Sequence, residues 1–264
     1  MRASAVMAAL VTALLGAGET CAQGWGNVKG QVVWTGEKIP PRRVIKVDKD
    51  QNHCLSKGPL LSEELMIDPK SKGVANVIVW LAAPKGALPI NPDLKAVPDK
   101  KVEVDQPLCQ FVPRVVVLRA GQTLVVKNSG AVPHSVKIDP PSGGVNAGEN
   151  LVIPAGQTIE FGGKKAFKAE LKPMMLGCAF HGWMTGLIGV FDHPYFAVTD
   201  KDGMFEMKNA PAGDIRLFAY HETTGWQHMP RQADKINEIG GRFGQRITIK
   251  PGETLDLGKI EFKP

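Results

Sequence analysis

The chain of 264 residues lacks the features that build helical, membrane-spanning or nucleic-acid-binding proteins. It has no long apolar heptads, which argues against a coiled coil or helical bundle. Beyond residue 22 no apolar stretch is long enough to span a bilayer. No RNA- or DNA-binding motif is present and the basic residues are scattered, so the net charge of +6 does not indicate a nucleic-acid partner. Neither a Ser-His-Asp pattern nor a paired acidic motif is present, so we do not expect an enzyme.

Turn-forming residues are abundant, with 29 glycines and 20 prolines. Short apolar runs between frequent turns favour an all-β protein. The strand spacing in the middle of the chain is typical of a β-sandwich. We predict strands, or strand-turn-strand units, at 30–36, 74–81, 115–118, 124–127, 135–138, 151–153, 158–161, 187–191, 196–205, 215–220, 246–249 and 255–262.

Residues 1–22 resemble a secretory signal, with Arg2 at the start, an apolar stretch over 5–17 and a cut after Ala22. The mature protein is therefore expected to be periplasmic or secreted, with no membrane span. Removal of Cys21 leaves three cysteines, of which two should pair in an oxidising compartment. We predict a disulfide between Cys54 and Cys109. The alternative is a second metal site that uses His53 beside Cys54, but its further ligands are not identifiable.

Cys178 begins a seven-residue segment that also holds His181 and Met184, while His134 lies 44 residues earlier. A thiol, two imidazoles and a weak thioether form the ligand set of a blue-copper electron-transfer site. One short loop can bring Cys178, His181 and Met184 to a single metal, whereas His134 must come from another loop. The alternatives are a buried free cysteine beside core residues, a zinc site, for which a thioether is a poor ligand, and a thiol protease, whose local sequence is absent.

The segments 115–134 and 178–191 together resemble the cupredoxins, with the Cys-x-x-His-x-x-Met spacing of amicyanin. The resemblance implies a Greek-key β-sandwich and one type 1 copper ion, with His134, Cys178 and His181 as strong ligands and Met184 as the axial one. Cupredoxins usually carry Asn after the first histidine. Here Ser135 stands in that place and can donate only one hydrogen bond, which leaves the bracing of the ligand loop open.

The last part of the chain resembles the carboxypeptidase regulatory-like (transthyretin-like) sandwich, on the segments 196–205 and 211–217. This resemblance implies a binding or structural module and no peptidase. Asp200 and Asp202 before Gly203 are interpreted as a hairpin turn, because the rest of a calcium loop is missing. We predict four regions: a signal at 1–22, an N-terminal β module at 23–100, a cupredoxin-like domain at 101–191 and a regulatory-like sandwich at 192–264. The N-terminal part is expected to pair with the C-terminal part.

Two further groups of residues are candidates for binding. Basic residues just before the Cys178 loop form a solvated face by default, but would steer an acidic partner if they flank the copper end; they are Lys164, Lys165 and Lys168. Phe180 and Trp183 would then either contact that partner around His181 or shield the metal. Separately, His193, His221 and His228 are possible ligands of a second copper, although a structural role is the plainer interpretation.

The sequence thus predicts an exported electron carrier with one copper ion, serving a redox partner such as a cytochrome or oxidase. A copper-binding or delivery protein with an exchangeable metal is the first alternative. A structural or carbohydrate-binding sandwich with a vestigial metal site is the second.

Overall fold

Nearly all of the regular structure is β-strand, which confirms the predicted all-β class. The computed structural model describes residues 24–226 and 244–262, so the predicted signal and His228 lie outside the described residues. The strands are β1 Trp25–Trp34, β2 Ile78–Ala82, β3 Val102–Val104, β4 Val115–Arg119, β5 Leu124–Lys127, β6 His134–Asp139, β7 Glu149–Ile153, β8 Thr158–Phe161, β9 Met174–Gly177, β10 Thr185–Phe191, β11 Phe196–Val198, β12 Met204–Pro211, β13 Gly213–His221, β14 Gly225–Trp226, β15 Gln245–Ile249 and β16 Thr254–Phe262. One short helix, α1, spans Gln51–Cys54, and single 3-10 turns occur at Pro92–Leu94 and Gly163–Lys165.

The middle of the chain forms a first sandwich of two sheets. One sheet has the strand order β4-β10-β9-β6-β7 and the other β3-β5-β8. Strands in these sheets turn alternate side chains inward, such as Val136 and Ile138 of β6 and Leu124 and Val126 of β5, and these belong to one buried cluster. Burial of such apolar side chains is the main stabilising term of the sandwich.

A second sandwich combines the two ends of the described chain. One sheet has the order β11-β2-β13-β14 with β15 beside β13, and the other has the order β12-β1-β16. β1 pairs with β12 in antiparallel and with β16 in parallel orientation, which is the expected pairing of the N-terminal and C-terminal parts. Its inward side chains, among them Val28 and Val32, meet those of β13, such as Leu217, in a separate buried cluster.

The two sandwiches share a third apolar cluster, and this explains the uninterrupted apolar run of β2. Val79 and Leu81 point into the second sandwich, while Ile78 and Trp80 point the other way. The ring of Trp80 lies 5.4 Å from that of Phe191 at the end of β10. A strand that is buried on both faces needs apolar residues at every position.

A buried ion pair also joins the two sandwiches. Nε of Arg114, just before β4, donates to Oε1 of Glu222 at 2.6 Å, and both side chains are at most 10% exposed. The same guanidinium donates to the hydroxyl of Thr185 at 2.6 Å. Charged groups this deeply buried require such partners, so the pair fixes how the sandwiches meet.

The predicted turn at 200–203 is confirmed. Oδ1 of Asp200 accepts hydrogen bonds from the backbone N–H groups of Asp202 and Met204, both at 2.9 Å. Gly203 adopts a φ of +74°, which suits glycine. The carboxylate that a calcium ion would use is thus engaged in holding the hairpin. Among the described residues, no helix is long and apolar enough to cross a membrane.

Candidate metal centre

The three residues of the Cys178 segment lie on a hairpin loop between adjacent strands. β9 and β10 pair in antiparallel orientation, with Gly177 opposite Thr185, so residues 178–184 must reverse the chain. The N–H of Met184 donates to the carbonyl of His181 at 2.9 Å, and the N–H of Cys178 donates to the carbonyl of Met184 at 3.3 Å. These bonds close the loop on itself. Cys178, His181 and Met184 all have buried side chains there.

His134 reaches the same place from the start of β6, the strand next to β9. The loop before it is held by Asn128, whose amide donates to the carbonyls of Val132 and Ile153, both at 2.9 Å. His134 itself is fully buried, and its Nε2 has no hydrogen-bond partner among the described residues. Its other ring nitrogen, Nδ1, faces the ligand loop.

Three potential ligand atoms meet at one point between β6 and the loop. Nδ1 of His134 lies 3.0 Å from Nδ1 of His181, and Sγ of Cys178 lies 3.9 Å and 3.8 Å from these two nitrogens. Three donors at these separations can share a metal ion at bond lengths of about 2.0–2.3 Å. Cys178 is a free cysteine, so its sulfur is not engaged in a disulfide. The donor set of one sulfur and two imidazoles therefore fits a copper ion.

Electrostatics favour the neutral form of His134. Burial, followed by the charges of His181 and His53, lowers the pKa of His134 to about 4. An imidazole with a pKa in that range carries a free lone pair at neutral pH, and metal ligation requires that state. Met184 is 2% exposed in the same core cluster as Cys178.

Ser135 braces the ligand loop, although it stands where cupredoxins usually carry Asn. Its backbone N–H donates to Sγ of Cys178 at 3.3 Å, and its hydroxyl donates to the same sulfur at 3.8 Å. The hydroxyl oxygen accepts a hydrogen bond from the N–H of Ala179 at 2.7 Å. One serine thus ties β6 to the ligand loop by both its backbone and its side chain.

The segment around α1 covers the site, which was not predicted from the sequence. Nε2 of His181 is hydrogen-bonded to Oδ2 of Asp50 at 2.9 Å, and Lys49 places its ammonium 5.0 Å from the ring centre of Phe180. Trp183 lies with its ring 5.1 Å from that of His181 and donates from Nε1 to the carbonyl of Cys109 at 3.1 Å. His181 is 0% exposed as a result, so in this structure Trp183 shields the imidazole.

Cys54 and Cys109 form the predicted disulfide, and it lies beside the candidate site. Both sulfur atoms lie within 4.8 Å of a ring nitrogen of His181. The disulfide joins α1 to the segment after β3. It therefore fastens the covering segment to the first sandwich next to the ligand loop, and it excludes Cys54 as a ligand of a separate metal site.

The lysines at 164, 165 and 168 lie at the opposite end of the first sandwich. β8 pairs with β5 so that Thr158 faces Lys127, near the loop to His134, while Phe161 faces Leu124 at the far end. Lys164 and Lys165 follow Phe161, and the carbonyl of Phe167 accepts a bond at 3.1 Å from Gly121, in the turn that precedes β5. The condition for steering a partner, that these lysines flank the site, is therefore not met. Lys49, which contacts Phe180, is a basic residue that does lie beside the ligand loop.

His193 and His221 have structural partners in separate places. Nδ1 of His193 accepts a hydrogen bond from the N–H of Tyr195 at 3.1 Å, and Nδ1 of His221 lies 2.9 Å from the hydroxyl oxygen of Thr223. Within residues 24–226 and 244–262, every group of three or more His, Cys, Asp or Glu side chains spaced for a metal ion includes His181. The plainer interpretation of His193 and His221 is therefore supported.

These two histidines make stability depend on pH. Burial is the main cause that lowers the pKa values of His193 and His221 to about 4. Because the unfolded chain binds more protons than the folded chain between about pH 4 and 6.5, stability is complete above that window and falls as the pH drops through it. We expect each histidine to contribute a loss of about 2 to 3 kcal/mol. Urea unfolding of the metal-free protein across this window measures the loss.

The matched variant for this prediction is His221→Asn, whose amide can still accept the bond from Thr223. It should unfold with a shallower pH dependence than the native protein, while His134 and His193 contribute equally in both. Equal slopes in the two proteins would contradict the assigned role of His221.

Comparison with solved structures finds copper proteins. A purple cupredoxin from Nitrosopumilus maritimus is 20% identical, with 34% of this chain and 98% of the cupredoxin covered and a TM-score of 0.28. Amicyanin from Paracoccus versutus is 20% identical, with 42% of this chain and 96% of amicyanin covered and a TM-score of 0.30. A copper-containing nitrite reductase from Thermus scotoductus is 21% identical, with 39% of this chain but only 25% of the reductase covered and a TM-score of 0.29. No protein-family model and no curated protein matches the chain.

Proposed function

We propose that this chain is an electron-transfer protein with one type 1 copper ion. His134, Cys178 and His181 would hold the ion as strong ligands, and Met184 would be the weak axial ligand. The observation that carries the proposal is the convergence of two Nδ1 atoms and one free thiol sulfur within 3.9 Å of one another in a buried pocket. A copper ion bound by such donors exchanges single electrons by cycling between Cu(I) and Cu(II).

Burial of the ligands favours electron transfer over copper delivery. His134 and His181 are 0% exposed and Cys178 is 5% exposed. Exchange of the metal with another protein would require incoming ligands to reach it, whereas electron transfer requires no ligand to leave. The hydrogen bonds of Ser135 and Asn128 hold the donors in place, and a site held in one geometry needs little reorganisation when its charge changes.

The remaining parts of the proposal concern the surroundings of the site. We propose a redox protein such as a cytochrome or oxidase as the partner, an exported location, and no enzymatic activity. The second sandwich is proposed to be a carboxypeptidase regulatory-like module that supports or docks the copper domain. The tight cluster between the sandwiches, with Trp80 and the Arg114–Glu222 pair, supports a structural role for it.

Reconstitution with Cu(II) tests the function. The full chain should bind one copper ion, show an intense visible band from thiolate-to-copper charge transfer, and give a reversible one-electron wave in voltammetry. Slow loss of copper to a chelator is expected because the ligands are buried. Rapid loss would instead support the delivery alternative. Absence of both the band and stoichiometric copper would overturn the proposal in favour of a structural sandwich.

A further inference from the structure

His181 offers different ring nitrogens to two different neighbours. Its Nδ1 faces His134 and Cys178 at the candidate metal site, and its Nε2 lies 2.9 Å from Oδ2 of Asp50. The imidazole is 0% exposed, whereas the side chain of Asp50 is 32% exposed. Asp50 therefore stands between a buried ligand and the solvent, and it is a carboxylate in direct contact with the outer nitrogen of that ligand.

The chain holds this carboxylate in place from several sides. Asp50 has a φ of 52° and a ψ of 34° and precedes α1, where its carbonyl accepts bonds from the N–H groups of His53 at 3.0 Å and Cys54 at 2.9 Å. The amide of Gln51 donates to the carbonyl of Val47 at 2.8 Å. Cys54 is in turn linked to Cys109. These contacts hold the backbone of Asp50 in place, and its carboxylate lies 2.9 Å from the outer nitrogen of His181.

We propose that Asp50 is a positioning and tuning residue of the copper site, acting through His181. This inference rests on the proposed function. By accepting a hydrogen bond from Nε2–H, the carboxylate fixes the tautomer that leaves the lone pair of Nδ1 free for the metal, and it makes the imidazole a stronger donor. Its negative charge stabilises Cu(II) more than Cu(I), because the more highly charged ion is attracted more strongly. Asp50 therefore lowers the reduction potential of the site.

Asp50→Asn is the informative variant. Asparagine tolerates the left-handed backbone and can still accept a hydrogen bond through Oδ1, so the substitution removes the charge and keeps the contact. Asp48→Asn is the control, since it removes the same charge from an exposed position two residues earlier. Mutation of a residue that hydrogen-bonds to a metal ligand changes metal affinity about 10- to 100-fold. If only the affinity for Cu(II) falls, the reduction potential should rise by about 60 to 120 mV, at about 59 mV for each tenfold change in affinity.

A second measurement does not need the metal. In the metal-free protein, ¹⁵N NMR should show the proton of His181 on Nε2 and exchanging slowly, and Asp50→Ala should make that exchange at least tenfold faster. Protonation of Nδ1 instead would overturn the inference.

The outcomes separate this inference from the proposed function. If the native protein binds copper with the visible band but Asp50→Asn and Asp48→Asn have the same potential, the role of Asp50 is wrong and the copper site stands. If the native protein takes up no copper, both fall together. A rise in potential confined to Asp50→Asn, with the visible band retained, supports the inference.

Discussion

Cys178→Ala is expected to abolish the visible band of the copper-loaded protein and to lower its affinity for copper at least about 100-fold. Sγ of Cys178 lies 3.9 Å from Nδ1 of His134 and 3.8 Å from Nδ1 of His181. Without it, the two imidazoles remain as strong donors, and they cannot produce thiolate-to-copper charge transfer. Visible spectroscopy and competition with a chelator of known affinity measure the two effects.

The substitution should leave the fold intact, which makes the result interpretable. It removes one buried sulfur atom and leaves the rest of the residue unchanged, so the loss of stability should be about 1 kcal/mol, as for the removal of about one methylene group from a core. Met175→Ala is the matched control, because it removes a sulfur from β9 of the same hairpin at a position that is 40% exposed. Retention of the band in Cys178→Ala, or its loss in Met175→Ala, would contradict the assignment.

The residues of the candidate site could be predicted from the sequence because most of them lie in one short segment. Cys178, His181 and Met184 lie within one hairpin loop, so their convergence follows from local chain reversal. His134 begins the strand that lies beside β9. Its proximity to Cys178 and His181 therefore followed once the middle strands were predicted to form one sandwich. The soft-donor set then favoured copper over other metals.

Asp50 could not be predicted in the same way. It contacts His181 across 131 residues of sequence, from a polar segment without hydrophobic periodicity. Neither the left-handed backbone of Asp50 nor the four-residue helix after it leaves a pattern that distinguishes it from a loop. The predicted disulfide of Cys54 indicates that the segment is anchored, but only the structure shows that it is anchored over the candidate site.

The strands, like the site residues, could be predicted where the evidence for them lies in a short stretch of sequence. Strands with several alternating or continuous apolar residues, such as β2 and β10, were predicted close to their observed positions. β3, β9 and β14 were missed, because β3 and β14 have only three and two residues and β9 ends in the glycine just before the ligand loop. The lysines at 164, 165 and 168 show a further limit, since composition gives a charge but not the end of the sandwich at which it lies.

Replacement of both Cys54 and Cys109 by alanine should lower both the stability of the fold and the retention of copper. The disulfide closes a loop of 55 residues, and its loss should lower the free energy of unfolding by about 4 kcal/mol on the chain-entropy model. Because the same link anchors α1, its loss should also free the segment that holds Asp50 over His181. Copper should then pass to a chelator about 10 to 100 times faster than from the native protein. Urea unfolding of the metal-free protein and stopped-flow chelation measure the two effects.

A control must separate loss of the cover from general loss of stability. Leu217→Ala serves this purpose, since Leu217 is 0% exposed in the core of the second sandwich and its truncation should lower stability by about 2 to 5 kcal/mol. It contacts neither α1 nor the ligand loop in the buried clusters. If copper leaves this variant as fast as it leaves the double alanine variant, general destabilisation explains the release and the covering role of α1 is wrong. Fast release from the double variant alone shows that the disulfide retains the metal by holding the cover in place.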